Sequence, residues 1–345
     1  MTSSRTAAPA RRPAPAPPPR PAVSRPLVVC ALLLAAAVVV RVVTIGADSP
    51  LPSALSDGIT LAASVVVESL PFVFLGVVIS IAVQLWVPTR VMDAIVPRRG
   101  ILRRAVLSLL GVILPVCECG NVPLARGLMM RGFSVADSVT FLLAAPILNP
   151  ITLVTTYQAF GWSDGILVSR LVGGFVIANL VGWLVSLHPD PARLLTPAWA
   201  AACASSVDER SRPSLRRAAS LFRDEISAML PALFLGAAIA GLIQVAVSRE
   251  TLVGVGGHPV YGVLALIALA FVIAICSNVD AFFALSLASS FSPGALIAFL
   301  VFGPMIDVKM LAMLSTTFRA RALAVVTLIV ALGAAVLGLG VNLLA

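Results

Sequence analysis

The sequence predicts an all-α polytopic membrane protein, built from an inverted repeat of helix bundles with two broken or re-entrant helical hairpins. Composition and a set of repeated motifs lead to this prediction. Of the 345 residues, 59% are hydrophobic and 11% are charged, whereas a soluble domain carries about 25% charged residues. So few charges cannot cover a water-facing surface, which excludes a soluble enzyme. The net charge of +9 then indicates arginines on cytoplasmic loops rather than a nucleic-acid-binding surface.

The N-terminal region divides into a tail and a first apolar segment. Residues 1–26 are rich in Pro, Ala and Arg and have almost no large apolar side chains, which predicts a disordered cytoplasmic tail. Residues 27–46 are apolar apart from Arg41. They fit either a cleaved signal sequence or an N-terminal transmembrane anchor, and the absence of a clear small-residue cleavage site favours the anchor.

Further apolar blocks follow, and most reach the roughly 20 residues that a helix needs to cross a bilayer. The blocks are 58–87, 105–116, 136–160, 165–187, 225–247, 259–275, 294–316 and 322–344. Two of them run into polar, cysteine-containing stretches at 115–123 and 276–280. Because broken helices at membrane depth are tolerated where they line a cavity, these stretches predict a transporter-like binding site.

The chain repeats itself at a separation of about 158 residues. Five motifs recur in the same order. They pair Pro71–Gly76 with Pro231–Gly236, Cys119–Val122 with Cys276–Val279, Phe133-Ser134 with Phe291-Ser292, Phe141-Leu142 with Phe299-Leu300, and Pro146–Asn149 with Pro304–Asp307. Shared apolar composition alone does not explain five ordered matches, so we expect two related halves.

The arginines orient these halves. The arginine clusters at 90–104 and 210–223 both fall on the cytoplasmic side only if 105–131 enters the membrane and returns. Each half then has three crossings and one hairpin, and this odd number makes the repeats inverted. Two full crossings in place of each hairpin would give the same parity. The predicted organisation is repeat 1 at 58–187, a cytoplasmic linker at 188–223 and repeat 2 at 224–345, in a bacterial inner membrane with a cytoplasmic N-terminus.

Acidic residues at membrane depth, within the spans or at the two breaks, indicate a functional site. A carboxylate at the bilayer centre costs about 2.5–3.5 kcal/mol on insertion scales, so it usually faces a cavity or a partner. Such residues here are Glu68, Glu118, Asp280 and Asp307, and three of the four lie on or beside the repeated motifs. This clustering predicts one polar site, although Lys309 next to Asp307 would make a structural ion pair an alternative.

Cysteines supply the second part of the predicted site. Cys117, Cys119 and Cys276 lie at the two breaks, and thiolates suit copper(I), zinc or a trivalent metalloid. Cys30 and Cys203 are interpreted as packing residues. For Asn149, an interhelical hydrogen bond is an equal alternative to cargo binding. The predicted substrate-binding residues are Cys117, Glu118, Cys119, Asn121, Asn149, Cys276, Asn278, Asp280 and Asp307, with the three cysteines as metal ligands.

Several chemistries lack the residues they need. The single lysine, Lys309, is not in a Gly-Lys-Ser/Thr loop, so no phosphate-binding ATP site is present. His188 and His258 lie at the ends of apolar blocks, so a histidine-based catalytic or metal centre inside the membrane is not predicted. No cofactor is predicted. A secondary permease working by alternating access is the favoured function. A membrane thiol oxidoreductase using Cys117 and Cys119, or a non-transporting structural subunit, remains open.

Three segments carry a resemblance to a known family. Residues 115–124, 141–150 and 299–307 resemble the predicted permeases of the YraQ/YcgR type, which include organoarsenical efflux permeases, and the resemblance covers about 58–345. It implies an inner-membrane permease, and in the arsenical branch it implies that Cys117, Cys119 and Cys276 bind trivalent organoarsenicals. Glu118 departs from the serine-bearing motif of that branch. It resembles the branch paired with a second small membrane protein and linked to metal ions. The implied partners are lipid, such a subunit and a second copy of the chain.

Overall fold

The computed structural model describes residues 53–88, 97, 100–114, 116–162, 165–206, 214–246 and 258–344. The predicted tail at 1–26 and the predicted anchor at 27–46, with Arg41 and Cys30, lie outside the described residues. The arginines at 90, 98, 99, 210, 212 and 249 also lie outside them.

The described chain is almost entirely helical. Its helices are α1 Ser53–Trp86, α2 Gly100–Ile113, α3 Glu118–Met130, α4 Val135–Ala144, α5 Pro150–Phe160, α6 Ile166–Ser186, α7 Pro197–Ser206, α8 Leu215–Ala246, α9 Pro259–Ile273, α10 Asp280–Leu287, α11 Pro293–Met305, α12 Val308–Leu314 and α13 Ala320–Leu344. Five segments are long and apolar enough to cross a membrane: Ser56–Trp86, Ile166–Ser186, Leu215–Val245, Pro293–Leu314 and Ala320–Leu344. The predicted all-α polytopic membrane protein is confirmed.

The repeated motifs mark equivalent helix starts. Ser134 caps α4 and Ser292 caps α11, each with its hydroxyl accepting from a backbone N–H of the first turn. Asn149 and Asp307 cap α5 and α12 in the same way. Since these side chains satisfy N–H groups that a helix start leaves unpaired, the motifs specify where each helix begins.

Packing within the two sets of helices is also equivalent. In the first set α4 packs on α2, α3 and α6, and in the second set α11 packs on the corresponding α9, α10 and α13. The longest helices of the two sets, α1 and α8, pack against each other. Each central helix, α4 or α11, is therefore enclosed by the same kinds of neighbour.

Two further interruptions appear inside apolar blocks that the sequence predicts to be continuous. The block at 136–160 is divided after Ala144, and the block at 294–316 is divided after Met305. In the first, Pro150 starts α5 at a position that needs no N–H donor. In the second, Asp307 has extended backbone angles, and its side chain caps α12. The described residues therefore contain four interruptions inside the bundle, rather than the two predicted.

The first predicted hairpin starts and finishes at one end of the bundle. At the start of α2, Arg103 forms an ion pair of 2.9 Å with Asp137 at the start of α4. At the end of α3, Arg131 Nη2 donates to the carbonyl of Val83 near the end of α1 at 2.9 Å. Both arms pack on α4, and in addition α2 packs on α6 while α3 packs on α1.

The second predicted hairpin starts and finishes at the other end. Asn342, near the end of α13, donates to the carbonyl of Pro259 at 3.2 Å and accepts from the backbone N–H of Gly294 at 3.0 Å. The start of α13 lies at the first end, because Thr317 accepts from Arg126 of α3 at 2.7 Å. The intervening 25-residue helix is about 37 Å long.

The segment predicted as a linker, 188–223, contains ordered structure. It includes a 3₁₀ turn, Pro191–Leu194, and helix α7, and α8 already begins at Leu215. Arg126 is buried within α3. Its guanidinium pairs with Glu225 at 2.6 Å and lies 3.7 Å from the centre of the Trp199 ring. Burial of a charge requires such partners, and the linker supplies one of them.

Candidate functional site

Two breaks in the helices create the site. After α2, the chain resumes as α3 at Glu118, with Cys117 as the N-cap residue. After α9, Ala274 adopts left-handed backbone angles (φ 51°) and α10 begins at Asp280. Left-handed backbone is costly for an alanine and is held in place only by its surroundings, which is common at functional sites.

Glycines of the repeated P-x-x-F-L-G motif bring α1 close to α3 and α8 close to α12. A Cβ atom on Gly76 of α1 would lie 2.3 Å from the carbonyl oxygen of Gly120 in α3. A Cβ atom on Gly236 of α8 would lie 2.8 Å from the Cα of Lys309 in α12. Each distance is too short for a real side chain. The motif therefore sets the position of α3 and of α12, which carry the charged groups of the site.

Cys117, Glu118 and Cys276 form a thiol–carboxylate cluster. All three residues are buried, and their ligand atoms lie within 4.8 Å of one another. In a zinc site, bonds of about 2.3 Å to sulfur and about 2.0–2.2 Å to oxygen place neighbouring ligand atoms roughly 3–4 Å apart. The cluster is thus close to the size that a single soft cation requires.

Glu118 is also the acceptor for a lysine from the other half of the chain. Its Oε1 lies 3.1 Å from Lys309 Nζ, and its Oε2 accepts from the Ser277 hydroxyl at 3.0 Å and the Ser277 backbone N–H at 3.3 Å. Lys309 Nζ also donates to the carbonyl of Ala274 at 3.3 Å. One carboxylate therefore connects α3 to both the second break and α12.

Asp307 offers a second acceptor to the same lysine. Its Oδ1 caps α12 by accepting from the Met310 N–H at 2.5 Å. Its Oδ2 lies 3.7 Å from Lys309 Nζ and accepts no hydrogen bond. Glu68 on α1 also adjoins the cluster, with its carboxylate beside the Cys276 thiol.

The remaining predicted residues lie around the cluster in different roles. The Cys119 thiol adjoins that of Cys117 and donates to the Ser69 hydroxyl at 3.5 Å. It is not part of the thiol–carboxylate cluster. Asn149 donates to the Val116 carbonyl at 3.1 Å and its oxygen caps α5. Asn121 donates to the same carbonyl at 3.5 Å. The side-chain oxygens of Asn121 and Asn278 have no hydrogen-bond partner. Cargo binding by any of these residues stays a prediction.

Asp280 is engaged elsewhere. Its two carboxylate oxygens accept from Arg170 at 3.0 and 2.6 Å, and Arg170 also donates to Thr156 at 2.7 Å. Both charged side chains are buried. A bidentate pair of this kind is strong and directional. It connects α10 of the second half to α6 of the first, and a further role for Asp280 in cargo binding stays a prediction.

Comparisons with known proteins agree with this architecture. Residues 55–343 match the ArsP_1 family, described as a predicted permease. The chain belongs to this permease family. Among its relatives, the UPF0718 protein YcgR of Bacillus subtilis is 36% identical over 261 residues, which cover 75% of this chain and 87% of the relative.

Two other relatives are a Streptococcus mutans protein and the UPF0718 protein YraQ of Escherichia coli. The first has a name that describes it as a two-component membrane permease complex subunit, and it is 29% identical over 79% of this chain and 90% of its own length. The second is 36% identical over 25% of this chain and 24% of its own length. No solved structure matches the chain. The predicted family is confirmed, and this permease is a multi-pass membrane transporter rather than an enzyme.

Sequence reasoning missed three contributors to the permease site. Lys309 was assigned to Asp307, but its closer carboxylate is Glu118. Arg170, inside the apolar block 165–187, was not among the predicted site residues, and Ser277 was matched only as part of a repeated motif. The positions of Lys309 and Arg170 inside apolar blocks already indicated ion pairs, because a buried cation needs a buried anion. The choice among several anions, however, depends on contacts between distant segments.

Proposed function

We propose that this permease moves a soft metal ion or a thiophilic metalloid species by alternating access through the thiol–carboxylate cluster. The observation that carries the proposal is the convergence of Cys117, Glu118 and Cys276 within 4.8 Å, although they come from two distant breaks. Two sulfurs and one carboxylate oxygen are a ligand set for a borderline or soft cation. Cys119, beside Cys117, would supply a further thiol during loading or release.

The placement of the two broken segments at opposite ends of the bundle supports the alternating-access part. The broken segment of the first half starts and finishes at one end of the bundle, and that of the second half at the other. The cluster lies where the two breaks meet. Movement of one set of helices against the other would open the cluster to each end in turn, as in other transporters with inverted repeats and broken helices.

Transport by cysteine variants tests the proposal. In proteoliposomes loaded with a zinc or cadmium indicator, Cys117→Ser and Cys276→Ser should each lower ion flux at least about tenfold, because a serine hydroxyl is a poor ligand for a soft ion. Trivalent phenylarsenical flux, measured in parallel, separates a metal ion from a metalloid cargo. Cys203→Ser, a change in α7 away from the cluster, is the matched control and should keep wild-type flux.

The proposal would be wrong if the Cys117→Ser/Cys276→Ser double variant, folded and reconstituted, carried both kinds of cargo at the wild-type rate. A loss of flux in Cys203→Ser of the same size would also contradict it, because the effect would then follow thiol loss in general rather than the cluster.

We further propose that the permease works with a second membrane protein, in a bacterial inner membrane. Support comes from the relative whose name describes a two-component complex subunit and from the resemblance of the Glu118-bearing motif to a paired branch. Purification from the source bacterium through a tag on this chain, with mass spectrometry of the membrane proteins that copurify in a fixed ratio, tests the pairing. Recovery of this chain alone, with full transport activity, would contradict it.

A further inference from the structure

The thiol–carboxylate cluster already contains a cation. Lys309 Nζ lies 3.1 Å from Glu118 Oε1, and both side chains are at most 2% exposed. A metal ion that uses Glu118 as a ligand must therefore replace the lysine ammonium as the partner of that carboxylate, since a carboxylate shared with an adjacent ammonium is a weaker ligand for a second cation.

The lysine has another acceptor within reach. Asp307 Oδ2 is 3.7 Å from Lys309 Nζ, is buried and accepts no hydrogen bond from the part of the chain that the structure describes. A lysine ammonium is a point charge on a flexible four-carbon stem, so a short shift changes its partner. The buried Arg170–Asp280 pair differs in this respect, because the planar guanidinium of Arg170 holds both oxygens of Asp280.

We propose that Lys309 is a built-in competitor of the cargo: it neutralises Glu118 in the empty permease, and a bound cation displaces it onto Asp307. This inference rests on the proposed function, and it narrows the cargo to a positively charged ion. The lysine keeps the empty cluster from retaining a buried unpaired carboxylate. When it returns to Glu118, it weakens the hold on the cargo and favours release.

The position of Lys309 gives this exchange a structural consequence. Lys309 lies in the short helix α12, against Gly236 of α8, and its ammonium also donates to the carbonyl of Ala274 at the second break. A shift from Glu118 to Asp307 removes one connection between α3 and α12. The bound cation, held by Cys117, Glu118 and Cys276, would then connect α3 to the second break in place of the lysine.

Cadmium binding to the full-length permease in detergent micelles tests the exchange, followed through the ultraviolet absorption of cadmium–thiolate bonds. The apparent affinity of wild type is reduced by the fraction of molecules in which Lys309 occupies Glu118. Lys309→Met should therefore bind cadmium about tenfold more tightly if nine molecules in ten are so occupied. It should also release cadmium more slowly in proteoliposomes. Lys309→Arg, which keeps a charge with a bidentate preference for carboxylate, should bind cadmium more weakly.

A double-mutant cycle with Asp307 separates exchange from a structural role. Asp307→Asn should weaken cadmium binding in the wild-type background, because the displaced ammonium loses its acceptor. The same substitution should have little effect in the Lys309→Met background. Arg126→Met, which breaks a buried ion pair outside the cluster, is the matched control and should not tighten cadmium binding.

The outcomes distinguish this inference from the proposed function. If wild type binds cadmium but Lys309→Met binds it no more tightly, the exchange alone is overturned. If Lys309→Met does not fold, the cadmium affinity of Lys309→Arg tests the exchange instead. Equal effects of Asp307→Asn in both backgrounds would also overturn it. No binding of cadmium or zinc by folded wild type would overturn both proposals.

Discussion

Arg170 and Asp280 show how single buried charges hold the two halves together. Arg170 is fully buried, and its guanidinium has Asp280 and Thr156 as partners. Taking such charges out of water is costly, and only close, well-oriented partners offset that cost. The pair is therefore a condition for the packing of α10 on α5 and α11 rather than an added source of stability.

Removal of one partner of this pair should be far more damaging than removal of both. We expect Arg170→Met to lower the free energy of unfolding by about 3–5 kcal/mol, because it leaves a buried carboxylate without a partner. The Arg170→Met/Asp280→Asn double variant should recover part of that loss. Denaturant unfolding in micelles, read by tryptophan fluorescence, measures both. A double variant less stable than Arg170→Met would contradict this account.

Glu118 and Lys309 form a second inter-half pair with a different character. The contact is monodentate at 3.1 Å and has an alternative carboxylate nearby. In both pairs, an acid in the first turn of a broken helix binds a base from the other half. The Arg170–Asp280 pair is a fixed link, and the Glu118–Lys309 pair is the one that we propose to be exchangeable.

At the scale of elements, close helix approaches position the breaks. Gly76 and Gly236 end the repeated motif and lie against α3 and α12 respectively. Helices that pack through glycine come closer than larger residues permit, which is common in membrane proteins. In this permease the close approach delivers Glu118 and Lys309 to each other.

Alanine at either glycine should displace a site helix. We expect Gly76→Ala and Gly236→Ala to lower thermal stability and cargo transport, because the added methyl group would lie 2.3 Å or 2.8 Å from backbone atoms of α3 or α12. Gly340→Ala in α13 is the matched control, since nothing lies within 4 Å of its added methyl group. It should be neutral or more stable by about 0.5–1 kcal/mol through helix propensity alone.

Melting temperatures and reconstituted flux of the three variants measure this effect. If Gly76→Ala and Gly236→Ala melted and transported like Gly340→Ala, the close approaches would not determine the position of the site helices.

At the scale of the whole molecule, the two ends of the bundle differ in charge and in connectivity. Arg103 and Arg131 lie at one end, together with the ordered segment around α7, and Asn342 connects three helix termini at the other. An excess of arginine near cytoplasmic ends orients membrane proteins. The first end is therefore the one that we expect in the cytoplasm.

Cysteine labelling tests this orientation. In a background with Cys30→Ser and Cys203→Ser, Arg193→Cys should react with a membrane-impermeant maleimide only when the reagent reaches the cytoplasmic side. Asp57→Cys, near the start of α1, should react only from the outside. Both native residues are exposed. Labelling of both positions from the same side would contradict the orientation. Detection of each full-length variant in the membrane fraction is the control for expression.

Much of this organisation could be predicted from the sequence because it depends on local patterns. Apolar length identifies spans, and the repeated motifs identify equivalent elements. The predicted breaks at 115–123 and 276–280 appear in the structure after α2 and α9. The interruptions after Ala144 and Met305 were missed, because apolar residues continue across both. There the decisive signals were helix caps, Asn149 and Asp307, which were interpreted as possible cargo ligands instead.

The sequence by itself determined the class of protein, the family and the residues from which a site could be built. Composition, motif order and cysteine placement are properties of the chain that persist in any fold it adopts. Only the tertiary structure decided which of those residues meet. Cys276 joins Cys117 and Glu118, and Lys309 pairs with Glu118 at 3.1 Å. The reason is physical: a buried ion pair is chosen by distances of a few ångströms between segments about 160–190 residues apart, and those distances follow from helix packing across the whole bundle.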